Sequence, residues 1–362
     1  MTRVVHVVDG SCGHDALQEA LLLASQAEGF VCIGPPQEEL AWSELLAGAR
    51  IIAKAPAGTV SRPKARKLEM FSRPGWVAQC WSITAARRFA LHLSPATPAA
   101  VRVAAPPSAR QVGWLGELAL ESKAVAFACQ GESVAGRVRA ANISAASEVI
   151  APPAEVAERT PAGRQAARER LGIAPDQVAI LAPGGAGRTS GHGYAVWAAA
   201  ILTVAELPVR LVIQATGAGA REAVRFAREA GFAEQVLHPA PSTPLAELAA
   251  AANLAVFLGA DAVPGVALAT AMLAGLPIVA GNVPAAADWL TDGKRALLAR
   301  PDGSREIARA VMAIIEDKAL ARRLGRAARS FAARNFDAAE VRGRWAALHE
   351  RLLSGAAVTK GG

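Results

Sequence analysis

The densest run of residues suited to chemistry is Pro183-Gly-Gly-Ala-Gly-Arg-Thr-Ser-Gly-His-Gly193. It follows a β-rich run and precedes a helical pattern. Glycines at such a turn let a backbone approach a phosphate, and the helix start behind them favours negative charge. Arg188 and His192 stand inside the run as donors for the same anion. It is not a Walker loop, because no Gly-Lys-Ser/Thr closes it. It is a poor dinucleotide fingerprint too: Gly191 follows Gly185-x-Gly187 at the wrong spacing, and the next strand ends at Gln214 with no acid for a ribose. A plain flexible turn between strand and helix is the competing reading. A second run is Pro264-Gly-Val-Ala-Leu-Ala-Thr-Ala-Met-Leu-Ala-Gly-Leu-Pro277. Pro264 suits a first helical position and Gly275 a helix stop. Amides near Gly265 and Val266 would then face outward at a helix N-terminus, an anion site by geometry. A buried core helix is its rival. His14, beside Gly13 in a first turn, is the histidine placed to meet an acceptor, although most lone histidines are surface or core residues. No catalytic triad, metal cluster or spaced carboxylate pair emerges, and no cofactor is implied.

The elements that must position these residues belong to a chain of 362 residues, 52% hydrophobic and 19% charged, with a formal charge of +8. That length favours two domains, and the composition excludes wholesale disorder. Cys12, Cys32, Cys80 and Cys129 are scattered without a Cys-x-x-Cys, which excludes a disulfide scaffold and suits small buried residues in a reducing cytoplasm. A signal peptide is not expected, since Asp9 ends the first apolar run. Ala262–Ala287 carries no charge, but its glycines and prolines suit a short buried helix and strand better than a membrane span.

The positive charge has a local source. Arg62, Lys64, Arg66, Lys67, Arg73, Arg87 and Arg88 face only Glu69, with Phe71, Trp76, Trp81 and Phe89 interleaved. A solvated face over core aromatics and a patch for anionic lipid or a phosphorylated ligand are the two readings. No nucleic-acid motif accompanies the charge, so no nucleic-acid partner is expected.

Short apolar runs alternate with helical patterns along the whole chain. Strands are expected at Val4–Val8, Val31–Gly34, Arg50–Ala53, Val125–Cys129 and Val149–Ala151. Further strands are expected at Val178–Ala182, Val209–Gln214, Leu254–Leu258, Pro277–Ala280 and Ala296–Ala299. This rhythm specifies an α/β protein with parallel sheets covered on both faces. Ala151–Gly163, rich in proline, is the candidate linker. A last amphipathic stretch, Asp337–Leu353, carries Val341, Trp345, Leu348 and Leu352 on one face.

From about Val178 onward the chain resembles group 1 glycosyltransferases, the retaining type with two Rossmann-like domains. The resemblance rests on Ala252-Asn253, Thr270-Ala-Met-Leu-Ala-Gly-Leu-Pro-Ile-Val-Ala280, Asp292-Gly293, Pro301-Asp-Gly303, Glu316-Asp317 and Phe336–Leu353. It covers roughly half the chain; upstream only His6-Val-Val-Asp-Gly10 and its Gly13 turn are similar. The resemblance implies a GT-B fold: two Rossmann-like parallel-sheet domains facing a cleft, with a C-terminal helix crossing back. Residues 1–155 would form the acceptor-side domain, 156–336 the donor-side domain, 337–353 the returning helix and 354–362 a tail.

The same resemblance implies a nucleotide-diphosphate sugar as donor and a glycan or lipid-linked acceptor. The chain would sit in the cytoplasm, peripheral to the inner face of an anionic membrane. Arg188, His192, Gly265 and Val266 would hold the donor diphosphate. The two glutamates that contact sugar and ribose in the family correspond to Ala262 and Thr270, with Asp261 one residue from the first. Losing two charged hydrogen bonds costs roughly 3–6 kcal/mol, or about two to four decades in donor affinity. Two functions follow: a glycosyltransferase, or a non-catalytic relative that binds a nucleotide or glycan or serves as a partner subunit.

Overall fold

The computed structural model describes residues 2–9, 12, 14–24, 28–33, 49–55, 69–90, 96–122, 124–157, 159–184, 190–214, 218–260 and 263–355. The chain divides into two compact units, Met1–Pro152 together with Ala338–Gly362, and Pro153–Asp337.

The first unit contains β1 (Arg3–Asp9), β2 (Gly29–Ile33), β3 (Ile51–Ala55), β4 (Trp76–Cys80), β5 (Ala99–Val103), β6 (Val125–Cys129) and β7 (Ala146–Val149). They form one parallel sheet in the order β3-β2-β1-β4-β5-β6-β7. Its helices are α1 (His14–Leu23), α2 (Ile83–Arg88), α3 (Ala109–Glu121) and α4 (Glu132–Ala140). A strand covered on both faces is apolar at consecutive positions, and β1 is buried from Val4 to Asp9. His6 is accommodated there because both ring nitrogens are partnered. Its Nδ1 accepts from Trp81 Nε1 at 3.1 Å, so the proton sits on Nε2, which donates to Glu28 at 3.1 Å.

The central strands β4 and β5 lie where no apolar run announces them. Trp-Val-Ala-Gln-Cys and Ala-Ala-Val-Arg-Val each carry a polar residue and lean on alanine, a weak strand former. Gln79 and Arg102 are buried all the same. Arg102 reaches Glu19 of α1 at 2.8 Å and donates to the Ile150 carbonyl at 2.5 Å. Burial still pushes the Glu19 carboxyl up to about 7 against the pull of that guanidinium.

These strands settle the aromatic part of the basic segment. Phe71, Trp81 and Phe89 are core residues, and half-buried Trp76 stands edge-on to Phe71. Arg73 is exposed, Arg87 pairs with Glu117 at 2.6 Å, and Arg88 lies 3.8 Å from Asp9. Arg62, Lys64, Arg66 and Lys67 lie outside the described residues.

The second unit contains β8 (Val178–Pro183), β9 (Val209–Gln214), β10 (Val236–Leu237), β11 (Leu254–Phe257), β12 (Ile278–Gly281) and β13 (Leu297–Ala299). Their order is β10-β9-β8-β11-β12-β13, again parallel throughout. The helices are α5 (Pro161–Arg170), α6 (His192–Val204), α7 (Ala218–Glu229), α8 (Leu245–Ala251), α9 (Gly265–Leu273), α10 (Pro284–Ala287), α11 (Ser304–Glu316) and α12 (Lys318–Asn335). The candidate linker is tied down on this unit. The Ala154 N–H donates to the Phe336 carbonyl at 3.0 Å, and Thr160 caps α5, with Pro161 in its first turn. Arg159, Arg164 and Arg168 then donate to carbonyls of residues 250–252 and 274, at the C-terminal ends of α8 and α9. Cations belong at that end of a helix dipole.

The last helix, α13 (Ala338–Ser354), is part of the first unit. Val341, Trp345, Leu348 and Leu352 are buried in a cluster with Leu17, Trp81 and Ile150. The Trp345 and Trp81 ring centres are 5.6 Å apart. Among the described residues no helix is long and apolar enough to cross a membrane.

Candidate functional site

In an open parallel sheet a ligand crevice forms beyond the carboxyl ends of the strands, where the strand order reverses. The second unit reverses between β8 and β11. β8 runs into Pro183 and Gly184, and β11 into Leu258 and Gly259. The N-termini of α6 and α9 follow these strands in the chain.

Two glycines allow close approach at this point. Gly184 has φ +91°, and a Cβ there would lie 2.1 Å from Pro264 Cγ. Gly191 has φ +79°, and its Cβ would lie 2.3 Å from the Leu258 carbonyl oxygen. Only glycine fits either position without strain. Between them lies a small cavity of about 30 Å³ lined by Gly184, Ser190, His192, Leu258, Gly259 and Pro264.

His192 opens α6 and is buried at this crevice. Its Nδ1 lies 2.8 Å from Ser190 Oγ, and the Ala182 backbone bonds the ring as well. Burial lowers its pKa to about 4, so the imidazole is neutral near pH 7. A neutral ring can still share a hydrogen bond with an anion but brings it no charge.

Gly265 and Val266 form the first turn of α9, with Pro264 as its N-cap. The first-turn amides and the positive end of the dipole therefore sit at the reversal point. Thr270 lies deeper in α9 and has no exposure. Its hydroxyl accepts from the Glu155 backbone N–H at 2.9 Å, while the Glu155 carboxylate accepts from the Ala246 N–H at 3.0 Å. Burial raises the Glu155 pKa, and the backbone amides of Ala246 and Leu245 oppose the rise. Thr270 thus joins α9 to the segment that enters this unit. Arg188, Asp261 and Ala262 lie outside the described residues. His14 is the first residue of α1.

The other motif residues hold the frame. Asn253 Oδ1 accepts from the Ala179 N–H at 2.9 Å and from Arg168 at 3.2 Å, locking the starts of β11 and β8. Asp292 accepts from the Leu298 N–H at 2.9 Å, and Gly293 turns the chain at φ +65°.

The first unit has its own reversal, between β1 and β4. There Asp9 is buried and accepts from Ser82 Oγ at 2.8 Å, with Cys12 Sγ at 3.7 Å. The motif His6–Gly10 includes Asp9 without giving it a role, and Ser82 carries no sequence signal of its own. All four cysteines are buried and none is in a disulfide. Burial raises the Cys12 and Cys80 thiols strongly and takes Cys129 up to about 12, which disfavours a thiolate at these three near neutrality. Among the described residues no cluster of His, Cys, Asp or Glu could hold a metal ion.

Known proteins agree with this geometry. Residues 163–331 match the family described as glycosyl transferases group 1. Over 187 residues the chain is 28% identical to D-inositol 3-phosphate glycosyltransferase of Nocardia farcinica. That match spans 49% of this chain and 42% of the relative, so the chain spans under half the relative's length. Anabaena HepE, crystallised with UDP and glucose, superposes over 97% of this chain and all of its own, with a TM-score of 0.74 at 15% identity. Sucrose-phosphate synthase of Thermosynechococcus elongatus gives 0.68 at 16% identity over 98% of this chain and all of its own. Two parallel-sheet Rossmann-like units of this kind make a GT-B fold. The segment 163–331, a little under half of the chain, is thus similar to the group 1 glycosyl transferases.

Proposed function

We propose that the chain transfers a glycosyl group from a nucleotide-diphosphate sugar to a glycan or lipid-linked acceptor. The second unit takes the donor and the first takes the acceptor. The observation that carries this reading is the reversal point of the second unit. There Gly184 packs against the Pro264 ring and Gly191 against the Leu258 backbone, beside the first turn of α9 and inside the family segment. The donor diphosphate lies on that turn near Gly265 and Val266, and Arg188 supplies the positive side chain. As the sugar departs, the leaving diphosphate gains negative charge, which oriented amides and a guanidinium stabilise without reorganisation. His192, being neutral, holds Ser190 and the loop in place and adds no charge. HepE binds UDP and glucose, which supports a uridine donor as the first to test.

The test is titration calorimetry of the full chain with UDP, GDP and ADP and their sugars. One diphosphate should bind, and Arg188→Ala should weaken it by about tenfold or more, the loss of a charged hydrogen bond. Absence of binding by any of them would overturn the donor site.

A second reading, a non-catalytic relative, draws on Thr270. The position aligned with a family glutamate carries a hydroxyl engaged by the Glu155 backbone. Nucleotide binding without transfer or donor hydrolysis would select that reading. The basic residues Arg62, Lys64, Arg66 and Lys67, with exposed Arg73, would hold the chain to an anionic surface on the cytoplasmic side of a membrane. Vesicle co-sedimentation should show binding to anionic vesicles that high salt removes.

A further inference from the structure

Helix α6 has no charged side chain between His192 and Val204. Its inner face is core: Ala195, Val196, Ala199 and Leu202 are buried. Its outer face is apolar as well. Tyr194, Trp197, Ile201 and Val204 recur at spacings of three, four and three, which places them on one stripe about 15 Å long. Tyr194 is 43% exposed, Trp197 50% and Val204 77%. A helix that is apolar all round is a helix covered all round.

Beside the stripe, α6 and α7 enclose a groove of about 370 Å³, which reaches at one end the Ser190–His192 turn of the crevice. Phe226 forms its floor, with its ring centre 5.3 Å from that of Trp197. Its rim is made of Glu222, Arg225 and Glu229, all exposed, and Arg225 lies 3.6 Å from Glu229 on its own helix.

We infer that this face is the interface between two copies of the chain, related by a two-fold axis that runs the two α6 helices antiparallel. An axis crossing the stripe at its centre sets Tyr194 against the second copy's Val204 and Trp197 against its Ile201. Each aromatic ring then meets an aliphatic side chain, and no bulky pair collides. A closed two-fold interface must be self-complementary. The rim satisfies this because it carries both signs: Arg225 of one copy faces Glu229 of the other, and the reverse. An anionic lipid surface would want a purely basic rim, and two glutamates here oppose it.

The test is sedimentation velocity of the full chain over a concentration series. Wild type should move from monomer to dimer. Trp197→Asp should raise the dimer dissociation constant by more than about tenfold, as expected for a central interface aromatic. Arg225→Glu should weaken the dimer by like-charge opposition, and Arg225→Glu with Glu229→Arg should restore it. That exchange lies at exposed positions, so it reads out even if Trp197→Asp fails to fold. A monomeric wild type at hundreds of micromolar overturns the inference. So does a dimer that neither Trp197→Asp nor the charge exchange affects, or stripe-dependent capture by lipid vesicles without self-association.

Discussion

Two residues show how a side chain's partners decide its role. Thr270, which the family resemblance sets opposite a glutamate, has a hydroxyl that accepts the Glu155 N–H in a site with no exposure. Thr270→Glu should therefore bury an extra carboxylate and cost about 2–4 kcal/mol in urea denaturation without improving donor affinity. Tighter donor binding by that variant would place residue 270 in the donor pocket instead. His192 and His349 provide a pH signature. Burial lowers both from 6.5 to about 4. Between those values the unfolded chain holds protons that the folded chain refuses, so stability falls as pH falls through that window. Each histidine accounts for about 3 kcal/mol by the acid end of the window. Denaturation midpoints measured from about pH 7 to about pH 4 should fall less steeply in His349→Gln than in wild type. Equal slopes would show that His349 is protonated in the fold.

At the scale of elements, the contact between the α6 start and the β11 end is a backbone contact. Gly191 adopts φ +79° with a Leu258 carbonyl in the space a side chain would need, whereas Gly193, two residues on, has nothing within 4 Å of its Cβ position. Gly191→Ala should cost at least about 2 kcal/mol and lower nucleotide affinity, because either the loop or the end of β11 must move. Gly193→Ala should leave affinity unchanged and hold stability level or raise it slightly. Thermal unfolding with calorimetry on the pair reads the difference. Equal behaviour of the two variants would remove the contact from the site.

For the whole molecule, the order of units along the chain matters. The first unit is incomplete until the last helix has been made, since Val341, Trp345, Leu348 and Leu352 fill a cluster around Trp81 and Leu17. Truncation after Asp337 should expose that cluster, raise dye binding and speed amide exchange in β4 and β5. Exchange in β8 and β11 should stay slow, because those strands have their own core. Unchanged protection of β4 and β5 would mean that α13 does not complete the first unit's core.

Much of this architecture is written locally. Largely apolar runs such as Val4–Val8, Val209–Ile213 and Leu254–Leu258, interrupted only by His6 and Arg210, favour buried parallel strands. The Gly-Leu-Pro end of α9 and the glycine run after β8 are likewise properties of short stretches, and they locate the crevice. Tertiary structure alone decided the rest. β4 and β5 contain Gln79 and Arg102, which local pattern assigns to the surface; for Arg102 the distant partners Glu19 and Ile150 make burial tolerable. His192 reads as an anion donor in the motif, and its charge state is decided by enclosure beside Ser190, where burial lowers its pKa to about 4. Thr270 reads as a donor contact, and a residue 115 positions earlier engages it. Local pattern reports which side chains prefer burial; charge state and partnership depend on the dielectric and neighbours that only the assembled fold supplies.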